Sequence, residues 1–374
     1  MTHLLSDAQV SAVSVFTHGP RLHVDLDAIA ANTRLFTRRT PGALMAVVKA
    51  DGFGHGEVEV ARTALANGAS WLGVTSVDEA ISLRRASVGA PILSWLNPLD
   101  ADFGSAIACG VDLAVPSREH LEAVIRAGVG ARVHLHLDTG MARDGAAPED
   151  WPGLCRAARR AEQTGRVRVV GVMGHLGCAD DPSHPDNAIG RTRFAWGLER
   201  ARESGLRPPL RHLAATAATL TDPRSHHTMS RVGAGLVGID PSRTTALRPA
   251  MRLTAPVVGV RTVRAGTAVG YGHTWSTGRR THLALLPLGY ADGLPRATSG
   301  QAQVMLRGRR RPVVGRISMD QVVIDVGGDP PELGEVAVVF GPGDDGEPTV
   351  AEWAAWAGTI EHEIVTGIGA RVHR

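Results

Sequence analysis

Two rhythms of apolar and polar positions divide the chain. From Ala43 to Gly238, short apolar runs alternate with stretches of helical spacing. The runs are Leu44–Lys49, Ser70–Ser76, Pro91–Leu96, Asp112–Ser117, Arg132–Thr139, Arg168–His175, Leu210–Thr216 and Ser230–Gly238. Between them, Glu57, Val58, Ala61 and Leu65, or Leu121, Val124 and Ile125, recur on one helix face. Near-continuous apolar strands separated by helices are the pattern of parallel strands covered on both sides. Eight such units in about 200 residues predict an α/β fold with a (β/α)8 TIM-type barrel.

After about Pro249 the rhythm changes. Leu253–Val263, His282–Leu288, Gln303–Leu306, Arg311–Ile317, Gln321–Val326 and Glu335–Phe340 read as strands joined by short Gly, Pro and Asp turns. This predicts a C-terminal, mainly antiparallel β domain. One helix is expected over Val350 to Trp356 with Thr349 as N-cap, and a last strand over Glu361 to Val365. His23 to Leu26 could be a strand donated to this domain. The expected division is a mobile extension over residues 1–15, a barrel over 16–249 and a β domain over 250–374.

Composition narrows the function. With 374 residues, 43% hydrophobic and 21% charged, the chain reads as globular. The net charge is +3, but the basic residues are interspersed with acids. The one basic run, Arg307 to Arg311, contains Gly308 and reads as a hairpin turn, so nucleic-acid binding is not expected. The three cysteines make no CxxC pair and no zinc spacing, so no metal is expected, and they suit a reducing cytoplasm. Neither a signal peptide nor an apolar run of about 18 residues is present, so no membrane partner is expected.

Candidate chemistry begins at Lys49. It is the only lysine; the other 39 of the 40 basic side chains are arginine. Arginine keeps its proton in proteins, whereas a lysine amine can lose it and form an imine with a carbonyl. The competing reading is a chance survivor of an arginine-biased composition. Lys49 ends the first apolar run and precedes a Gly-rich turn, which puts it at a strand tip, where barrels keep their active sites. Other tips carry Asp138 to Arg143, Gly174-His175-Leu176, Thr216, and Arg231-Val232-Gly233-Ala234-Gly235. Thr216 offers a hydroxyl, and the glycine-rich segment lets backbone N–H groups approach an anion. An amine, a phosphate cradle, two arginines and a histidine fit a cofactor with one aldehyde and one phosphate, pyridoxal phosphate. Singly each has a structural reading; the inference rests on their convergence. Only two tyrosines occur, Tyr271 and Tyr290, both in Gly-flanked loops. A phenol can serve as acid or base where its surroundings tune it, or simply cap a turn.

Taken together, Ala46 to Ala50, Asp138 to Met141 with Arg143, Gly174 to Leu176, Arg231 to Gly233, Gly270 to Gly272, Gly289 to Gly293 and Gly315 to Gln321 resemble the alanine racemase family of fold-type III pyridoxal-phosphate enzymes. The resemblance runs from His23 to the C-terminus. It implies an isomerase that interconverts L- and D-alanine, and a homodimer whose active sites are shared between subunits. It implies that Lys49 holds the cofactor and is the base for the D enantiomer. Tyr271 from the other subunit would serve the L enantiomer. Arg231 would face the pyridine nitrogen, and His175 would link Arg231 to Tyr271. Arg143 would contact cofactor and substrate carboxylate, the Met319 N–H would bind that carboxylate, and Thr216, Gly233 and Ala234 would hold the phosphate.

Five positions depart from the family pattern: Phe53 replaces a phosphate-binding tyrosine, Ala370 another tyrosine, Ala215-Thr216 an Asn-Ser pair, and His136 a lysine that is often carbamylated. Other readings of this scaffold are racemisation of serine or a specialised substrate, decarboxylation of a basic amino acid, and non-catalytic cofactor binding. Arg231 argues against the decarboxylase, which places an acid near the ring nitrogen. The β domain with Tyr271 argues against a carrier.

Overall fold

The computed structural model describes residues 19–374; the extension expected over residues 1–15 lies outside them. The described chain forms two units, Asp25–Ala250 and residues 19–24 with Met251–Arg374.

In the first unit, eight strands form one parallel sheet: β2 (Ala43–Val47), β3 (Trp71–Val74), β4 (Ile92–Ser94), β5 (Val111–Val115), β6 (Ala131–His136), β7 (Val167–Met173), β8 (Leu210–His212) and β9 (Met229–Val232). Their order is β8-β7-β6-β5-β4-β3-β2-β9. The two ends of this order meet through Thr228 N–H to Arg211 O at 3.1 Å and Arg231 N–H to Ala214 O at 3.0 Å, which closes the barrel. The expected (β/α)8 fold is therefore present. Observed strands stop short of the predicted runs because the residues past the tips turn into the loops that carry the polar groups. Helices follow where oxygen side chains cap them: Ser76 accepts from Glu79 N–H, Asp102 from Ser105 N–H and Ser117 from His120 N–H.

In the second unit, β1 (Arg21–Val24) pairs antiparallel with β10 (Met251–Pro256); the donated strand is there but lies two residues before the expected His23 to Leu26, because Asp25 caps the helix Leu26–Arg39. The others are β11 (Gly259–Val263), β12 (Ala268–Val269), β13 (Trp275–Ser276), β14 (Thr281–Leu286), β15 (Gln303–Leu306), β16 (Arg309–Val314), β17 (Val322–Gly327) and β18 (Val336–Phe340). Apart from the β12–β13 ribbon, they form one sheet in the order β1-β10-β18-β15-β16-β17-β14-β11. Arg307 and Gly308 make the turn between β15 and β16, both at positive φ, 52° and 66°. The basic run is thus the expected hairpin.

Two predictions need correction. Leu253–Val263 is two strands, not one, because the chain changes partner just past Pro256: Val257 N–H still donates to Glu335 O beside β18, at 2.7 Å, whereas Val258 N–H donates to Leu285 O of β14, at 2.9 Å. Glu361 to Val365 is not a strand but the start of a helix, Glu361–Gly367. Its buried residues Ile364 and Val365, with Ile368 just past its end, follow helical spacing, which a five-residue window could not reveal. The helix Val350–Ala357 has the expected Thr349 cap, completed by Glu352 in a capping box.

Candidate active site

Lys49 leaves β2 into an unusual turn. Ala50, Asp51, Gly52 and Phe53 all adopt left-handed backbone angles, with φ between 50° and 62°. Three of the four carry a Cβ that this conformation crowds, so the turn needs outside support. Glu79 supplies it. One carboxylate oxygen accepts from Ala50 N–H at 2.8 Å, and the other accepts from Thr75 N–H at 2.8 Å. Asp51 Oδ1 accepts from Glu57 N–H at 3.0 Å and ties the turn to the next helix. Burial and the nearby Arg143 charge lower the Lys49 pKa, while Glu79 pulls it back up. The neutral amine is therefore more accessible than in a free lysine.

Arg231 is buried in the last strand, where Met45 of β2 is its register partner. Its Nη1 donates to His212 Nδ1 at 3.1 Å and His212 O at 2.8 Å. Its Nη2 donates to Gly174 O at 2.7 Å and His175 Nδ1 at 3.2 Å. Burial pushes its pKa down to about 10, which still leaves a cation at neutral pH. His175 is pushed down to about 3, by burial first and then by the charges of Arg231 and Arg143, so it is neutral. Its backbone is held by Thr139, whose Oγ1 accepts from His175 N–H at 3.1 Å.

The segment before Arg143 is shaped by Asp138, whose Oδ1 accepts from Gly140, Met141 and Ala142 N–H at 2.8, 2.9 and 3.2 Å. His136 Nδ1 lies 3.3 Å from Asp144 Oδ2. Burial opposes ionisation of Asp144, but His136 outweighs it and holds the carboxyl below its usual range. At the cradle, Thr216 opens the helix Thr216–Thr221, and its Oγ1 accepts from Gly235 N–H at 3.2 Å. A Cβ at Gly233 would stand 2.6 Å from the Phe53 ring, so glycine is required there. Phe53 thus packs on the loop that contains Gly233 and Ala234.

The barrel brings together Lys49, Arg143, His175 and Arg231, and packs Thr216 against the Gly233–Gly235 segment. Tyr271 and Met319 lie in the other unit, with side chains 69% and 53% exposed. A Cβ on Gly272 would lie 3.0 Å from Arg316, and Tyr290 N–H and Ala291 N–H donate to Ser318 O and Met319 O at 3.0 and 2.9 Å. The turns around Tyr271, Tyr290 and Met319 therefore gather at one edge of that unit. Four polar residues escaped the sequence reading: Glu79 in the first turn of the helix after β3, and Asp112, His134 and His212 inside the barrel. The available signal was histidine or aspartate inside an apolar strand run, which only a partner across the barrel explains.

The profile described as "Alanine racemase, N-terminal domain" matches residues 24–241, and that of "Alanine racemase, C-terminal domain" matches residues 250–374. The chain is 46% identical over 359 residues to an alanine racemase of Thermobifida fusca, covering 94% of this chain and 96% of that one. It is 46% identical over 370 residues to one of Streptomyces coelicolor, covering 95% of each. Among solved structures, alanine racemase from S. coelicolor superposes with a TM-score of 0.94 at 45% identity, covering 96% of this chain and 98% of that one. The enzyme from Streptomyces lavendulae gives 0.93 at 43%, covering 95% and 96%.

Proposed function

The chain belongs to the alanine racemase family, and from that premise we propose that it interconverts L- and D-alanine, with Lys49 and Tyr271 moving the proton on opposite faces of the substrate. The reading takes pyridoxal phosphate as the cofactor, and the residues present suit it. Lys49 is the one side chain that can bind an aldehyde through its amine, and its lowered pKa favours the attacking form. The four Nη hydrogens of Arg231 are taken up by His212, Gly174, His175 and the Leu213 carbonyl. The fifth, on Nε, is the donor that remains for a ring acceptor such as a pyridine nitrogen. Thr216, Gly233 and Ala234 would hold the phosphate; Phe53 packs there without offering a hydroxyl. When bound, pyridoxal phosphate supplies an aldehyde carbon that takes the amino group and a ring that weakens the Cα–H bond.

The remaining work belongs to the protein. Lys49 Nζ removes or returns the proton on the face that the D enantiomer presents. Tyr271, carried in by a second copy of the chain, does the same for the L enantiomer. Inversion requires both, because the proton leaves one face and returns on the other. His175 accepts at Nδ1, so its proton sits on Nε2 and can only be donated. A donated N–H would stabilise the phenolate oxygen of Tyr271 and so favour the form that takes the proton. Arg231, cationic against the ring nitrogen, keeps that nitrogen unprotonated and restrains side reactions such as transamination. Arg143 and the Met319 N–H bind the substrate carboxylate.

The observation that carries this reading is the placement of the only lysine, desolvated beside Arg143, in the same barrel mouth as the Arg231–His175 pair. Purified protein supplied with pyridoxal phosphate should equilibrate alanine from either enantiomer in a chiral assay. Racemisation of another amino acid but not alanine would move the substrate. Release of CO2 without inversion would replace the reading with the decarboxylase.

A further inference from the structure

Below the barrel mouth a line of polar side chains that the proposed reaction leaves unused leads to Arg231. Asp112 of β5, His134 of β6 and His212 of β8 are each at most 1% exposed, and Arg231 of β9 is 4% exposed. His212 Nε2 lies 2.8 Å from His134 Nδ1, and His134 Nε2 lies 3.2 Å from Asp112 Oδ2. Arg132 closes the far end, with Nε 2.7 Å from Asp112 Oδ1 and Nη2 3.1 Å from Oδ2.

The direction of this chain is fixed. A guanidinium only donates, so His212 Nδ1 must accept from Arg231 and carry its proton on Nε2. That proton is donated to His134 Nδ1, which puts the His134 proton on Nε2, facing a carboxylate that only accepts. Reversing the sense, or adding a proton to either imidazole, would set two N–H groups against each other at His212 and Arg231. The fold also makes room for the line. A Cβ at Gly171 of β7 would fall 2.1 Å from His134 Nδ1, and the β6–β7 register shifts between Val133 and His134.

We propose that Asp112 is the counter-ion of Arg231, a positioning residue that acts through His134 and His212 and fixes the tautomer of both. Its functional meaning rests on Arg231 facing the cofactor ring; the chain itself rests on the distances above. Burial opposes the Asp112 charge, but the bonds from His134 and Arg132 outweigh it and keep the carboxyl below its usual range. Burial and the neighbouring His134 and Arg231 hold His212 well below the usual histidine range. The donor and acceptor directions along the line require charged ends and neutral rings. The guanidinium is aimed from below by groups that never meet substrate.

Nitrogen-15 NMR of the histidine-labelled holoenzyme reads the tautomers directly, with signals assigned by single substitutions. Protons on Nε2 and bare Nδ1 atoms are expected at His134 and His212. In Asp112→Asn one amide corner must present N–H groups to His134 or Arg132, both donors. The His134 and His212 signals should then shift or mix, and kcat for alanine should fall roughly tenfold with KM held. A proton on His212 Nδ1 in the wild type would overturn the proposal, and that measurement decides alone if Asp112→Asn does not fold. Unchanged tautomers and kcat in a folded Asp112→Asn would overturn it too. The expected tautomers in a wild type that does not racemise alanine would instead strike the functional reading.

Discussion

Burial decides the behaviour of single residues here. His175 has its pKa lowered from 6.5 to about 3 by burial and by the arginines around it. Between those values the unfolded chain binds a proton that the folded chain refuses, so stability rises with pH through that window and falls as acid is added. The loss approaches about 1.4 kcal/mol per pH unit per such group. His212 adds a loss of the same sign. Thermal unfolding should therefore show a marked drop in Tm between pH 7 and pH 5, and His175→Asn should flatten it; an equal slope in both proteins would contradict this. Lys49→Arg keeps the positive charge and removes the amine. It should abolish the visible absorption of lysine-bound cofactor together with activity, and a wild-type spectrum in that variant would refute the assignment. Lys49, Arg143, His175 and Arg231 were legible in the sequence because Lys49 and His175 end strand runs, Arg143 closes the Asp138 loop just past one, and Arg231 precedes a glycine-rich segment. Asp112, His134 and His212 were not. They lie 22 and 78 positions apart along the pairs that join them, and nothing in a linear string links them.

At the scale of elements, the turn Ala50–Phe53 concentrates the strain. Gly52 sits at φ 62°, and a Cβ there would lie 2.9 Å from Val60 Cγ2. Gly52→Ala should destabilise the protein by about 1–3 kcal/mol, through the left-handed angle and the contact together. Ala50→Gly relieves strain at φ 50° and should be neutral or stabilising by up to about 1 kcal/mol. Denaturant unfolding measures both, and the opposite ordering would contradict the assignment of strain. The barrel strands were legible because parallel strands buried on both faces are apolar throughout. The left-handed turn was not, since Gly-rich sequence says that positive φ is allowed but not that four residues adopt it in a row. Glu361 to Val365 misled for a related reason: β-branched residues read as strand, while the buried trio at helical spacing ends outside the window.

At the scale of the whole molecule, the exposed side chains Tyr271 and Met319 leave room for another surface to cover them. The homodimer we propose supplies it, with each active site built from two chains. Inactive Lys49→Ala and Tyr271→Phe proteins, unfolded and refolded together, should regain about a quarter of wild-type activity. Half of randomly paired dimers are mixed, and each mixed dimer has one intact site. No recovery in confirmed mixed dimers would contradict the shared site. The two-domain order was legible from the change of rhythm near Pro249, whereas assembly was not, because exposure appears only once a single chain has folded. The most direct test of the two-base claim is loss of the Cα proton from alanine in deuterated water, followed by proton NMR with Tyr271→Phe holoenzyme. D-Alanine should still exchange with retention, through Lys49, while exchange of L-alanine falls by about 100-fold or more. Equal exchange of both enantiomers, or undiminished racemisation, would contradict it.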